Sequence, residues 1–149
     1  MALKGLKEFE NKLNAVGKVS ASKRLWGQIG FQAIDIISQR TLKGKDYQGA
    51  AFTRYNKTYK LWKQKRGGKF FSGSPNLHNS GNMFASMKAR STDKNVTLFF
   101  SKPLEAKKAS IHHRGLAGMP KREFFDLSKR EQDDLLELLR KKLKKAING

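Results

Sequence analysis

The sequence predicts a small α+β domain, and three observations carry that expectation. Apolar residues recur at helical spacing in the first forty positions and again after Ser128. Between Met87 and Phe100 the period drops to two, which is the signature of strands. The stretch that separates these regions, residues 44–82, is long, rich in Gly, Lys and aromatic residues, and poor in aliphatics. Two helices, a loop-rich middle, strands and a last helix make an α+β order within one domain, and 149 residues suffice for a real core. No internal repeat is present.

Taken in order, Leu6, Phe9, Leu13 and Val16 lie on one face of a short helix over 3–16, which Gly17 ends. Ser20 or Ser22 then supplies the N-cap of a longer helix. Its stripe is Leu25, Trp26, Ile29, Ala33, Ile36 and Ile37, a face wide enough to lie on a sheet or another helix. Gly27 and Gly30 weaken this helix but allow close packing. Within 44–82, Phe52, Tyr55, Tyr59 and Trp62 step by three, four and three, so a short helix is expected there, ending at Gly67–Gly68. Met87, Ala89 and Ser91 alternate with basic residues, and Val96, Leu98 and Phe100 alternate after them. The two runs predict a β-hairpin turning at Asp93, Lys94 and Asn95. Lys102 and Pro103 close its second strand. Residues 105–112 suit either a further pairing strand or a short helix. The last helix is announced by Ser128 and Glu131, an S-x-x-E capping box. Acids fill its first half and bases its end, which complements the helix dipole. Leu135, Leu136, Leu139, Leu143 and Ile147 face inward.

Charge dominates the composition. There are 32 Lys and Arg against 12 Asp and Glu, a net of +20. Residues 1–60 carry +8 (12 basic, 4 acidic), 61–122 carry +11 (13 basic, 2 acidic) and 123–149 only +1 (7 basic, 6 acidic). Such a field draws nucleic acid, an anionic membrane surface or an acidic protein. Cysteine is absent, which removes disulfides and cysteine-ligated metal centres. No window approaches the roughly 18 apolar residues of a membrane span, and the charged start does not read as a signal peptide.

Reactive constellations are scarce. A metal site would draw on His78, His112 and His113, but adjacent residues of a strand face opposite ways, and zinc wants three or four ligands. A nuclease would need carboxylates to hold a divalent ion, and 61–122 offers only Asp93 and Glu105. No phosphate-binding glycine pattern occurs. The sequence therefore predicts neither an enzyme nor a resident metal or other cofactor. The basic-aromatic run admits two readings. Tyr55, Tyr59, Trp62, Phe70 and Phe71 could stack bases while Lys57, Lys60, Lys63, Lys65, Arg66 and Lys69 neutralise phosphates. Periodicity favours the alternative, in which Tyr55, Tyr59 and Trp62 are a helix's buried face and the lysines its wet one.

Four segments in order, "GKDYQGAAFTRYNKTYKLWK", "LHNSGNMFASMKAR", "ASIHHRG" and "MPKREFFDLS", resemble the phage virion-morphogenesis families, small tail-completion, neck and head–tail joining proteins of tailed bacteriophages. The similar pattern falls on Phe52 and Tyr59, then on Leu77, Ser80, Gly81 and Met83. It continues through Ala109, Ile111, His112 and Gly115 to Met119, Pro120, Arg122 and Phe124, and the likeness covers about 44–147. The resemblance implies an antiparallel sheet packed by the long N-terminal and the C-terminal helices. It also implies a non-enzymatic protein forming a ring, commonly a hexamer, between head connector and tail. The chain would then assemble in the host cytoplasm and reside at the virion's head–tail junction.

In that setting residues 44–82 reach neighbouring subunits or the next ring, and packaged DNA in the lumen gives the lysines a use. The candidate interface is Phe52, Tyr55, Tyr59, Trp62, Phe70, Phe71, His113, Arg114 and Arg122. The stretch "IHHRGLAGMPKREFF" becomes a shaped joint. His112 closes the last strand, Gly115 and Gly118 allow positive φ, Pro120 stiffens the approach, and Phe124 and Phe125 anchor it. The rival expectation is a general nucleic-acid-binding protein.

Overall fold

The computed structural model describes residues 23–66 and 73–148. Seven elements follow one another: α1 (Lys23–Leu42), α2 (Lys57–Arg66), α3 (Asn82–Ser86), β1 (Met87–Ser91), β2 (Val96–Phe100), α4 (Pro103–Arg114) and α5 (Lys129–Asn148). Helices with a two-stranded antiparallel sheet make the fold α+β, as the sequence predicts. The helix expected over 3–16, the caps Ser20 and Ser22, Gly67–Gly68, and Lys69, Phe70 and Phe71 lie outside the described residues, as does the side chain of Ile147. The chain gathers into two compact units. Met1–Ile36, Lys88–Phe99 and Asp126–Gly149 form the first, and Ile37–Met87 with Phe100–Phe125 form the second.

In the first unit the hairpin is the platform. Thr92 makes its turn: its backbone N–H donates to the Asn95 carbonyl at 2.9 Å, and its Oγ1 accepts from the N–H groups of Lys94 and Asn95, both at 3.1 Å. α1 lies on this platform through Trp26, Ile29 and Ala33, all buried, and Trp26 Nε1 donates to the Asp93 carbonyl at 3.2 Å. Gly30 explains the close approach. A Cβ there would stand 2.5 Å from Val96 Cγ2 and 2.7 Å from Ala89 Cβ. α5 also packs on the sheet, with Leu135, Leu136 and Leu139 buried. The capping box is present in both directions: Glu131 N–H donates to Ser128 Oγ at 3.2 Å, and Ser128 N–H donates to Glu131 Oε2 at 2.8 Å.

The second unit has an aromatic centre. Phe124 and Phe125 are fully buried and pack with Phe100, whose ring centroid lies 6.5 and 4.7 Å from theirs. The last turns of α1 enter here, and Arg40 donates to the Phe124 carbonyl at 2.6 Å. Residues 45–51 form a small bridged loop, in which Asp46 Oδ1 accepts from the N–H groups of Gln48 and Ala50, each at 2.9 Å. Tyr47 N–H donates to the Glu123 carbonyl at 3.0 Å, which ties that loop to the chain leaving α4.

One expectation needs correcting. The strand considered for 105–112 is the helix α4, so His112 sits in a last helical turn and does not close a strand. Pro103 opens α4 at its first position, where its missing N–H costs nothing. Leu104, Ala106, Ala109 and Ile111 keep neither a strict alternation nor one helical face, which is why spacing alone left the choice open. Gly115 ends α4 at φ 68°, and Leu116 N–H reaches back to the Ile111 carbonyl at 3.0 Å. A Cβ on Gly115 would also meet Lys121 backbone atoms at 2.9–3.0 Å. Gly118 has φ 72°, so both glycines of the joint take the positive φ expected of them.

Candidate functional site

The second unit holds a cavity of ≈ 480 Å³. Four pieces of chain wall it: residues 54–63 leading into and along α2, the loop 77–79, the end of α4, and the loop 118–122. Its chemistry begins with Lys63. Although it lies on a helix of mostly exposed residues, Lys63 is 1% exposed, because α2 turns this position inward. Its Nζ donates to Tyr55 Oη at 2.8 Å and to Asn76 Oδ1 at 2.7 Å. Asn76 N–H donates to Tyr55 Oη at 3.2 Å, and His78 N–H donates to Asn76 Oδ1 at 3.1 Å. Tyr55 therefore accepts twice, leaving its own proton to donate.

The opposite wall is Arg122, 3% exposed, whose Nη2 donates to the Thr53 carbonyl at 2.9 Å. Its guanidinium carbon lies 5.5 Å from the Tyr55 ring centroid. Arg122 Nε and His112 Nδ1 are buried and have no hydrogen-bond partner. Burial first, and then the nearby Arg122 charge, lowers the Lys63 pKa from 10.5 to about 8. His112 is lowered by burial first and then by Arg122, and His78 by burial first and then by Lys63, so both imidazoles favour the neutral form. Tyr55 is pushed up, chiefly by burial, and stays protonated at neutral pH. The cavity thus contains positive charge and N–H and O–H donors, and among the described residues no carboxylate lines it. Leu77, at its edge, takes φ 53°, a left-handed conformation that costs a non-glycine residue about 1–2 kcal/mol.

Several residues singled out by sequence meet here: Tyr55, Tyr59, Lys63, His112, Met119, Pro120 and Arg122. Others do not. Phe52, a candidate interface residue, is a core residue at 6% exposure, whereas Phe124 is buried at 0% as an anchor should be. Met83 is buried in the short helix α3, which Gly81 precedes at φ 81°, and Ser80 Oγ accepts from Asn82 N–H at 3.4 Å. His113 is not left to solvent, since its Nδ1 accepts from Phe125 N–H at 3.3 Å, whereas Arg114 is exposed. Lys57, Lys60, Lys65 and Arg66 are exposed on α2 as expected, but Lys63 is corrected from a surface lysine to a buried one. The inward aromatic stripe expected of that helix is corrected too. Tyr59 and Trp62 are 37% and 39% exposed and stack on each other at 5.6 Å. Sequence reasoning missed Asn76 and weighed His78 only as a metal ligand, since both sit in a turn-rich run with no period to flag them.

Among the described residues no group of three or more His, Asp and Glu could hold a metal ion. No described helix is long and apolar enough to cross a membrane. No curated protein and no solved structure matches the chain. A family model does, over residues 2–144, nearly the whole length. The segments that carry the likeness include the cavity's own walls, and the chain belongs to the phage virion morphogenesis family.

Proposed function

We propose that this phage virion assembly protein acts at the neck or tail end, self-associating into a ring, commonly a hexamer, that joins the head connector to the tail. Family membership over residues 2–144 supports the assembly role. The observation that carries the finer reading is the surface of the second unit, where Tyr59, Leu61, Trp62, Leu116 and Met119 are 37–52% exposed. Large apolar groups exposed on this unit suit a subunit contact. In this reading the protein is structural, needs no cofactor, and contacts adjacent connector and tail proteins. Sedimentation of purified protein is expected to give a closed oligomer, and particles lacking the protein are expected to leave heads and tails unjoined. A strict monomer, together with normally joined particles, would remove the proposal.

The second reading, general nucleic-acid binding, draws on one observation. Lys57, Lys60, Lys65 and Arg66 are exposed on the same short helix as the stacked Tyr59 and Trp62, and Arg66 lies 5.5 Å from the Trp62 ring. It expects log affinity for DNA to fall linearly and steeply with log salt. A flat response excludes it.

A further inference from the structure

We propose that the cavity between Lys63 and Arg122 is a socket for one carboxylate, presented by an Asp or Glu side chain of an adjacent virion protein. The virion source rests on the assembly role proposed above, but the preference for a carboxylate stands on the geometry alone.

Two cations are almost wholly buried here, and neither is paired with a carboxylate. Burying an ion costs several kcal/mol unless an opposite charge and hydrogen bonds compensate. The second unit cannot supply that charge. It has 16 Lys and Arg but only three acids, Asp46, Glu105 and Glu123. Asp46 closes its own loop, Glu105 pairs with Lys108 at 3.0 Å, and Glu123 pairs with Lys121 at 2.9 Å. The stretch 67–72 contains no acid either. Arginine cannot shed its proton, and Lys63, held at about 8, keeps its own at neutral pH. Among the described residues neither cation has a carboxylate partner, and the compensating charge is one that another molecule can bring.

The donors are already in place. Lys63 uses two of its three N–H groups, Tyr55 retains its hydroxyl proton, and Arg122 Nε is buried without an acceptor. A carboxylate offers about four acceptor sites and can match them. Protein rather than nucleic acid is indicated by the rest of the lining. Tyr59, Leu77, Met119 and Pro120 give an apolar passage suited to the stem of a side chain. A phosphate of a nucleic-acid backbone arrives with hydrated neighbours and favours exposed lysines.

The test titrates the full-length protein with a blocked Leu-Glu-Leu peptide, its Leu-Gln-Leu counterpart, inorganic phosphate and a short single-stranded oligonucleotide. The readout is the side-chain NMR titration of Lys63. The Glu peptide is expected to saturate, to raise the Lys63 pKa well above 8, and to bind at least about tenfold more tightly than the Gln peptide. Lys63→Met, checked for folding by circular dichroism, is expected to abolish that tenfold preference, and Arg122→Gln likewise. Should Arg122→Gln fail to fold, the Lys63 titration in the unaltered protein decides. Equal binding of the two peptides, or an unmoved Lys63 pKa, overturns the socket. Tighter coupling of Lys63 to phosphate or to the oligonucleotide overturns the carboxylate assignment. Glu-selective binding by the purified protein, with Lys63→Met particles that still join heads to tails, overturns only the virion source.

Discussion

The two units of this chain solve different problems with the same number of basic residues. The first carries 16 basic and 9 acidic residues, a net of +7, while the second carries 16 and 3, a net of +13. In the first, the acids of α5 lie in its N-terminal half and most of its bases at its end, a polarity that complements the helix dipole. In the second, each acid is committed to a local turn or ion pair and two cations are buried without one. Exposed apolar groups are divided just as unevenly. Among the described residues the first unit exposes Phe31, whereas the second exposes Tyr59, Leu61, Trp62, Leu104, Leu116 and Met119. The difference is what the proposed assembly role would use: the second unit leaves two buried cations and most of the exposed apolar groups for the proposed partner.

Each unit holds one tryptophan, Trp26 in the first and Trp62 in the second, so each side of the contrast can be read separately. The largest effect is expected from Phe124→Ala, which empties the centre of the second unit. A loss of about 3–5 kcal/mol is expected, measured by chemical denaturation followed at Trp62 in a Trp26→Phe background. A loss below about 1 kcal/mol would break the claim that this unit has its own aromatic core.

Next is Gly30→Ala in the first unit. Alanine is the better helix former by about 0.8–1.0 kcal/mol. The new Cβ nevertheless meets Val96 Cγ2 and Ala89 Cβ at 2.5 and 2.7 Å, and both atoms are fixed close to backbone. Overpacking of about 1–3 kcal/mol should therefore win, giving a net loss in the thermal midpoint. A gain in stability would mean that helix and hairpin are not in this contact. Ser128→Ala is expected to cost about 1 kcal/mol by removing the cap of α5, visible as a lowered denaturation midpoint with an unchanged slope.

The smallest effect is the most specific. Because the Lys63 pKa in the fold, about 8, lies below its ordinary 10.5, the unfolded chain binds the extra proton between those values. Stability should then rise with pH across that window. Lys63→Met should flatten this rise relative to the unaltered protein, with denaturation at several pH values as the measurement. An unchanged pH slope in the variant would show that Lys63 is not held as the geometry has it.

How much of this could be read in advance follows from the range of each signal. The hairpin over Met87–Phe100, the Ser128–Glu131 cap and the Gly30 contact were legible, because each rests on period, turn chemistry or a residue type that makes sense locally. α4 was only half legible, since its small and aliphatic residues follow neither period cleanly, so strand and helix both stayed open. On α2 the 3-4-3 aromatic spacing pointed the wrong face inward. Tyr59 and Trp62 stack outside while Lys63 turns in, its ammonium held by Tyr55 and Asn76.

By itself, then, the sequence determined the α+β class, the helix signals, the hairpin register and the excess of positive charge, together with the ordered motifs that resemble a virion family. These depend on neighbours a few positions apart. Which of 32 cations would be buried, and against what, only the tertiary structure decided. Lys63 meets Asn76 across 13 positions, and Arg122 meets Thr53 across 69. Burial of a charge is a property of everything brought around it, and no local period in the chain encodes that.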